Sequence, residues 1–235
     1  MLSLGGNAPF LYISTAYVCG TRNGFIAEAS CAPDTQFSNG YERSKAAAEA
    51  LVERSGRPWL IARPSIVVGA STNGRIRRFD SIYGAFKLLA EGRITTLPAT
   101  VDASLNFVPI NHVAEAIAAL ATNPSEFAGD YVHICAERSL SVAAFVEAIG
   151  AAPALKAPRL VAPEAFDKAS LLKIEKLLFE RILEHYLPYF QHNPEFALGN
   201  VKRLTGLQSP SFNLELLHVL IGYAIDAGFV RPVAA

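Results

Sequence analysis

Phe10-Leu-Tyr-Ile-Ser14, the segment Tyr41 to Arg54, and Trp59-Leu-Ile-Ala62 are the stretches that decide the fold. The first and third are short apolar runs with β-branched and aromatic members, and they read as buried strands. Between them a polar loop holds Pro33, Asp34, Ser38, Asn39 and Gly40. An Ala-rich segment follows, with Ala47, Ala48, Leu51 and Val52 at helical spacing and Gly56 where a helix ends. Pro58 leads into the second strand, and Arg63-Pro64 is expected to stop it. Strand, helix, strand, with both strands apolar throughout, predicts a parallel sheet covered on both faces.

Working outward, Ser81 to Ala90 reads as a helix with Ile82, Phe86 and Leu89 on one face. Asn106 to Ile110 reads as a strand, and Asn111 as the cap of a helix His112 to Ala121. Tyr131 to Cys135 is a further strand, followed by a helix Ser141 to Ile149 capped near Ser139 or Ser141. Pro153, Pro158 and Pro163 punctuate an Ala-rich linker, so the expected domains are 1–152 and a helical C-terminal region, 153–235. In that region Leu171, Leu172, Ile174, Leu177, Leu178, Ile182 and Leu183 form a broad stripe ended by Pro188. Leu214 to Ala227 is the last helix, with Gly228 after it.

The chain has 235 residues, 51% hydrophobic by type and 18% charged, which excludes disorder and coiled coil as the main state. Lys plus Arg and Asp plus Glu are each 21, so no global field favours nucleic acid or an anionic membrane. Cys19, Cys31 and Cys135 are odd in number and show no C-x-x-C spacing, which argues against a disulfide framework or a zinc site and for a cytoplasmic setting. Leu214 to Val230 is interrupted by Glu215, His218 and Asp226, so no membrane span is expected.

Chemistry gathers at the expected strand ends. Ser14-Thr15 lie where the first strand stops, the rim at which open α/β sheets bind ligands. Tyr41 and Lys45 are four apart on one helix face, where an ammonium favours the phenolate and lowers the phenol's pKa. With eight Tyr and seven Lys, chance supplies about a quarter of such a match, so ordinary surface residues are the competing reading. Arg63-Pro-Ser-Ile-Val-Val-Gly69 reaches the same rim. Arg75, Arg77 and Arg78 can meet phosphates but also fit a solvated loop. His185 and His192 lack metal-ligand spacing, Tyr186, Tyr189 and Phe190 fit a packed cluster or an acyl channel, and Cys19 fits a small buried hydrophobe.

Ile13-Ser-Thr-Ala-Tyr-Val18, Tyr41-x-x-x-Lys45 and Arg63-Pro-Ser-Ile-Val-Val-Gly69 together resemble the extended short-chain dehydrogenase/reductase superfamily. Asn106-Phe-Val-Pro-Ile-Asn-His-Val113 is similar to a segment of its male-sterility-type branch, the fatty acyl-CoA reductases and thioester reductase domains. There the segment reads Asp-x-x-Pro-Val-Asp-x-Val, so Asn106 and Asn111 each remove a charge. Ala197, Leu198 and Gly199 stand where the same enzymes carry acidic and hydroxyl residues.

The resemblance implies an α/β fold: the later strands of a Rossmann-like doubly wound parallel sheet, a substrate subdomain and a helical end. It implies NAD(P)H-dependent reduction of an acyl thioester, acyl-CoA or carrier-bound, to aldehyde or alcohol, with NADP favoured over NAD. Thr15, Tyr41 and Lys45 are then the catalytic residues, and Ser14, Tyr41, Lys45, Pro64, Ser65 and Ile66 face the cofactor, with no metal. No Gly-rich phosphate turn occurs, and Gly5-Gly6 follow no strand. About four βα units, at ~30 residues each, are therefore expected to be missing before Phe10, leaving that strand an open edge for self-association. Rival readings are an epimerase, dehydratase or hydroxysteroid-type dehydrogenase of the same scaffold, and a truncated chain that binds a partner without catalysis.

Overall fold

The computed structural model describes residues 6–80, 82–153 and 155–231. Its first elements are β1 (Phe10–Ile13), β2 (Gly24–Ile26), α1 (Gly40–Glu53), β3 (Trp59–Pro64) and β4 (Ile66–Val68). Next come α2 (Tyr83–Ala90), β5 (Thr96–Pro98), β6 (Ser104–Leu105), β7 (Phe107–Pro109), α3 (Ile110–Thr122), β8 (Asp130–Ile134), β9 (Leu140–Ser141) and α4 (Val142–Ala151). The last are β10 (Arg159–Val161), α5 (Lys173–Arg181), β11 (Pro194–Phe196), α6 (Gly199–Thr205) and α7 (Leu214–Asp226). The chain forms two compact units that interleave in sequence. The first takes the chain up to Val67, Asn106–Arg138 and Pro194–Ser211; the second takes Val68–Leu105, Ser139–Asn193 and the chain from Phe212 on.

The first unit is a three-stranded parallel sheet in the order β1-β3-β8, as the strand-helix-strand reading expects. Period-2 alternation along β3 divides the core. Leu60 and Ala62 pack with Val113, Ala116 and Leu120 of α3 and Val201 of α6, while Ile61 on the other face meets Val52 of α1 and Tyr131. Both faces of β3 are thereby covered, which is why Trp59–Ala62 is an unbroken apolar run. Among the described residues β1 pairs only with β3, at the edge of this sheet, and its four side chains are half-buried where a buried strand was expected.

Two boundaries differ from expectation. β3 does not stop at Ala62, because Arg63 and Pro64 stay in register with His133 and Ile134. Pro64 gives up only its own N–H, and the bonding resumes where Ser65 N donates to Ile134 O at 3.2 Å. Asn111 is not the cap of α3. The helix begins at Ile110, and Pro109, extended at φ −64° and ψ 137°, occupies the N-cap without a side-chain bond.

In the second unit, Ser141 caps α4 by accepting from Ala144 N at 3.1 Å, as expected. The Pro-punctuated linker carries β10, which pairs in parallel with β5. The Leu171–Leu183 stripe is not one helix: Ile182, at φ −127° and ψ −62°, separates α5 from a 3-10 run, Leu183–Phe190, that contains Pro188. Phe179, Leu183 and Phe190 are buried there, whereas Leu172, Ile174 and Leu177 face solvent. Helix α2 begins at Tyr83, and Ser81, where the sequence placed its start, lies outside the described residues, as does Gly5. Among the described residues no helix is long and apolar enough to cross a membrane.

Candidate active site

The end of β1 is shaped by two hydroxyls. Ser14 N donates to Ala62 O at 2.7 Å, which extends the sheet by one residue. Thr15 is the N-cap of a 3-10 turn, Ala16–Cys19, and its Oγ1 accepts from Tyr17 N at 3.3 Å. Ser14 Oγ is buried and has no hydrogen-bond partner. A buried hydroxyl without a partner costs about 1–3 kcal/mol, so this oxygen is a ready acceptor or donor for a ligand.

Helix α1 brings its own pair to this point. Asn39 and Glu42 form a reciprocal cap: Glu42 N donates to Asn39 Oδ1 at 2.9 Å, and Ser38 N donates to Glu42 Oε2 at 2.8 Å. That cap fixes the first turn and with it Tyr41. One turn on, Lys45 is half-buried and its Nζ donates to Ile13 O at 2.9 Å, with the same nitrogen 5.1 Å from the Tyr12 ring centroid and 6.0 Å from that of Tyr41. Tyr41 itself is 54% exposed, and its hydroxyl makes no hydrogen bond to Ser14, Thr15 or any other described residue.

The expected lowering of the Tyr41 pKa is corrected here. Partial burial, with the neighbouring Glu42 carboxylate second, holds the phenol above its ordinary value. The Lys45 ammonium is committed to the Ile13 carbonyl and does not reverse the direction. The phenol is therefore protonated at neutral pH, the state in which it can donate.

Pro64 ends β3, Ser65 follows it and Ile66 opens β4, and all three are buried. Ser65 Oγ donates to Asn106 Oδ1 at 2.7 Å, and the same oxygen accepts from Ala136 N at 2.9 Å. Asn106 Nδ2 donates to Ala136 O at 3.1 Å. A carboxylate at 106 could not make that last bond. The departure from the family's Asp is thus a change from acceptor to acceptor plus donor.

Sequence reasoning missed the buried pair behind the site. Arg63 Nε and Nη2 donate to Glu49 Oε1 and Oε2 at 2.9 and 2.7 Å, and Nη1 donates to Ala29 O at 2.8 Å. The guanidinium also lies 4.3 Å from the Tyr131 ring centroid. Glu49 continues the Tyr41, Lys45 face at i+4, which was the available signal. Glu28 was missed as well: it accepts from His133 N and Asn200 N, both at 2.9 Å, and so supplies a carboxylate beside the Ala197-Leu-Gly199 segment.

Burial pushes the Cys19 thiol up to about 12, so it is inert as a nucleophile at neutral pH. Arg75, Arg77 and Arg78 are exposed on a loop, where Arg78 pairs with Asp80 at 3.5 Å. His192 Nδ1 lies 2.8 Å from Pro188 O, and no group of His, Cys, Asp or Glu among the described residues is placed to hold a metal. Tyr186 and Tyr189 contact each other at 6.4 Å.

Residues 2–117 match the family model described as male sterility protein, a class of NAD-binding domain. L-2-aminoadipate reductase of Saccharomyces cerevisiae is 36% identical over 90 residues, and the large subunit of that enzyme from Candida glabrata is 35% identical over 91. Each match takes in 37% of this chain but 6% of the relative, so the chain spans a small part of either protein. The terminal R domain of the myxalamid PKS-NRPS pathway superposes with a TM-score of 0.76 at 23% identity, over 96% of this chain and 60% of that one. MoeE5, solved with UDP-glucose and NAD, gives 0.64 at 15% identity over 94% of this chain and 66% of its own. At these identities the solved structures establish the fold, Rossmann-like α/β. Residues 2–117, just under half of the chain, are thus similar to the male sterility protein family, in line with the resemblance that the strand-end motifs carry.

Proposed function

We propose that the chain provides the reacting end of an NAD(P)H-dependent reductase of acyl thioesters, acyl-CoA or carrier-bound, giving an aldehyde or alcohol. One observation carries the reading: Lys45 Nζ is anchored on Ile13 O immediately beside the unpartnered hydroxyl of Ser14. Ser14 lacks a partner and Lys45 retains donors beyond the one given to Ile13, which suits the ribose hydroxyls and carboxamide of a nicotinamide nucleotide. Ser14, Lys45, Pro64, Ser65 and Ile66 are the residues that would hold that end. The cofactor, NADP in preference to NAD, supplies the hydride when bound.

The chain's own side chains would do the rest. Tyr41, with its phenol protonated, gives its proton to the oxyanion that develops on the former carbonyl oxygen. Thr15 and Ser14 donate hydrogen bonds to the same oxygen and so stabilise charge as it forms. Lys45 keeps the end of β1 and the first turns of α1 in fixed relation, and its charge favours the phenolate left on Tyr41 once the proton has been given up. We also assign the protein to the cytoplasm, and read the free edge of β1 as a place where a second copy can add a strand.

The test is NADPH oxidation on N-acetylcysteamine thioesters by the protein as its gene encodes it, beside UDP-glucose as a nucleotide-sugar control. Turnover on thioesters that Tyr41→Phe abolishes is the expected result. Turnover on the nucleotide sugar alone overturns the reading.

A further inference from the structure

Parallel pairing holds β1 and β3 together up to one definable point. Ile13 is in register with Ala62, and Ser14 N donates to Ala62 O at 2.7 Å. In a parallel ladder the next bond runs back from the residue two beyond Ala62 to the Ser14 carbonyl. That residue is Pro64, which has no N–H to give. Ser65 N cannot stand in, since it donates on the other side, to Ile134 O of β8 at 3.2 Å. The two strand ends are therefore released from each other at Ser14 and Pro64, at the rim where open α/β sheets bind ligands.

Side chains span the gap instead. Tyr17 N donates to Thr15 Oγ1 at 3.3 Å, and the Tyr17 hydroxyl accepts from Asn106 N at 3.4 Å. Asn106 in turn accepts from Ser65 Oγ on its Oδ1 at 2.7 Å and from Ile66 N on its carbonyl at 3.0 Å. A series of three hydrogen bonds thus runs from Thr15 past the missing ladder bond to Ser65, with Tyr17 as its middle member. The Tyr17 ring is buried, and Phe196 meets it edge-on with centroids 5.5 Å apart, which aims the hydroxyl. The two bonds made by Tyr17 are longer than the ~3.2 Å upper end of an ordinary N–H···O bond, so they add little to stability. What they fix is position.

We propose that Tyr17 is a positioning residue: its hydroxyl sets the gap between Ser14-Thr15 and Pro64-Ser65, and with it the seating of the nicotinamide ring. Tyr17 acts through Thr15 and Asn106, not on the reacting atoms. The proposal rests on the reductase reading for what fills the gap. A displacement of about 1 Å at a reacting centre costs on the order of 10²-fold in rate, which is the scale on which such a bridge counts.

Tyr17→Phe keeps the ring and removes only the oxygen. In the protein as its gene encodes it, kcat for NADPH oxidation on an N-acetylcysteamine thioester should fall about 10–100-fold, with KM for the thioester moving less than about twofold. The deuterium isotope effect on kcat, measured with NADPH labelled at the transferring C4 position, should rise as hydride transfer slows relative to product release. With no thioester present, the emission of bound NADPH reports how firmly the nicotinamide is held, and it should lose part of its gain over free NADPH. The urea midpoint should stay nearly where it was. Unchanged kcat, unchanged emission of bound NADPH, or a kcat loss matched by a fall in urea midpoint would each overturn the proposal. The parent protein separates the two ideas. A parent that binds NADPH with enhanced emission but oxidises it with no thioester removes the reductase reading, and a weaker emission in Tyr17→Phe then still supports the bridge. Parent-like thioester turnover by Tyr17→Phe does the reverse. A parent that binds no NADPH overturns both.

Discussion

Lys45 Nζ donates to the carbonyl oxygen of Ile13 at 2.9 Å, so one bond ties the second turn of α1 to the last residue of β1. The consequence is that Tyr41, one helical turn earlier, cannot move independently of the strand end that carries Ser14 and Thr15. Removing the bond without removing the packing is informative. Lys45→Met should keep the fold, lower turnover by at least about 10²-fold and weaken NADPH binding, since it takes away both an anchor and a ribose donor. Loss of turnover with unchanged NADPH affinity would restrict Lys45 to positioning.

Tyr41→Phe removes only a hydroxyl from a side chain that is more than half exposed, so stability should be nearly unchanged. Turnover should fall by at least about 10²-fold, the scale of a lost general acid, with NADPH affinity intact. Stopped-flow NADPH oxidation and thermal unfolding give the two readings. Full activity in this variant would take Tyr41 out of the mechanism.

Glu49 and Arg63 are a buried pair with side-chain exposures of 1% and 3%. Glu49→Gln leaves a buried cation without its counter-charge and should cost about 3–5 kcal/mol. Replacing both, with Glu49→Leu and Arg63→Met, should cost clearly less than the sum of the single changes. Urea unfolding of the parent, Glu49→Leu, Arg63→Met and the double variant closes the cycle, and additive losses would mean the pair is not coupled.

Asn106→Asp should destabilise by about 2 kcal/mol near neutral pH, because the donor to Ala136 O is lost and a charge is buried. Protonating the new carboxyl restores a donor. The gap from the parent should therefore narrow as the pH falls below the carboxyl's pKa, which unfolding at neutral and mildly acidic pH will show.

His133 is buried, and burial, with the Arg63 charge second, lowers its pKa to about 4 from an ordinary 6.5. The unfolded chain thus binds a proton that the folded chain refuses between those values. Its contribution is fully present above about pH 6.5 and is lost as the pH falls towards 4, by roughly 3 kcal/mol at most. Glu28, whose carboxyl burial pushes up, acts in the opposite sense above its ordinary value. Acid unfolding should accordingly be shallower in His133→Gln and steeper in Glu28→Gln between about pH 4.5 and 6.5. Parallel curves for all three would show that neither group sets the acid limit.

The backbone of the first unit was legible because its signals are local. An apolar run at Trp59–Ala62 requires cover on both faces, and Leu60, Ile61 and Ala62 are divided between α3 and α1 as such a run demands. Asn213, by contrast, caps α7 by accepting from Leu216 N at 3.0 Å, a signal that one polar residue before an apolar stripe gives only weakly. Glu49 carried only the weak signal of its place on the Tyr41 and Lys45 face. A carboxylate on a helix reads as solvated, and only the sheet, which places Arg63 opposite it fourteen residues later, turns it inward. The strand-end motifs located Ser14, Thr15, Tyr41 and Lys45, yet the direction of the Tyr41 shift depends on burial and on Glu42, neither of which spacing encodes.

Asn106 joins Ser65 to the backbone on both sides of Ala136 through an amide, a group that neither gains nor loses a proton in water. With a carboxyl at that place the junction would exist in two charge states and its geometry would follow the acidity of the medium. With the amide it is electrically silent. The frame that holds Pro64 and Ser65 therefore stays constant as the pH changes, and any pH profile of the proposed reaction has to come from groups outside it.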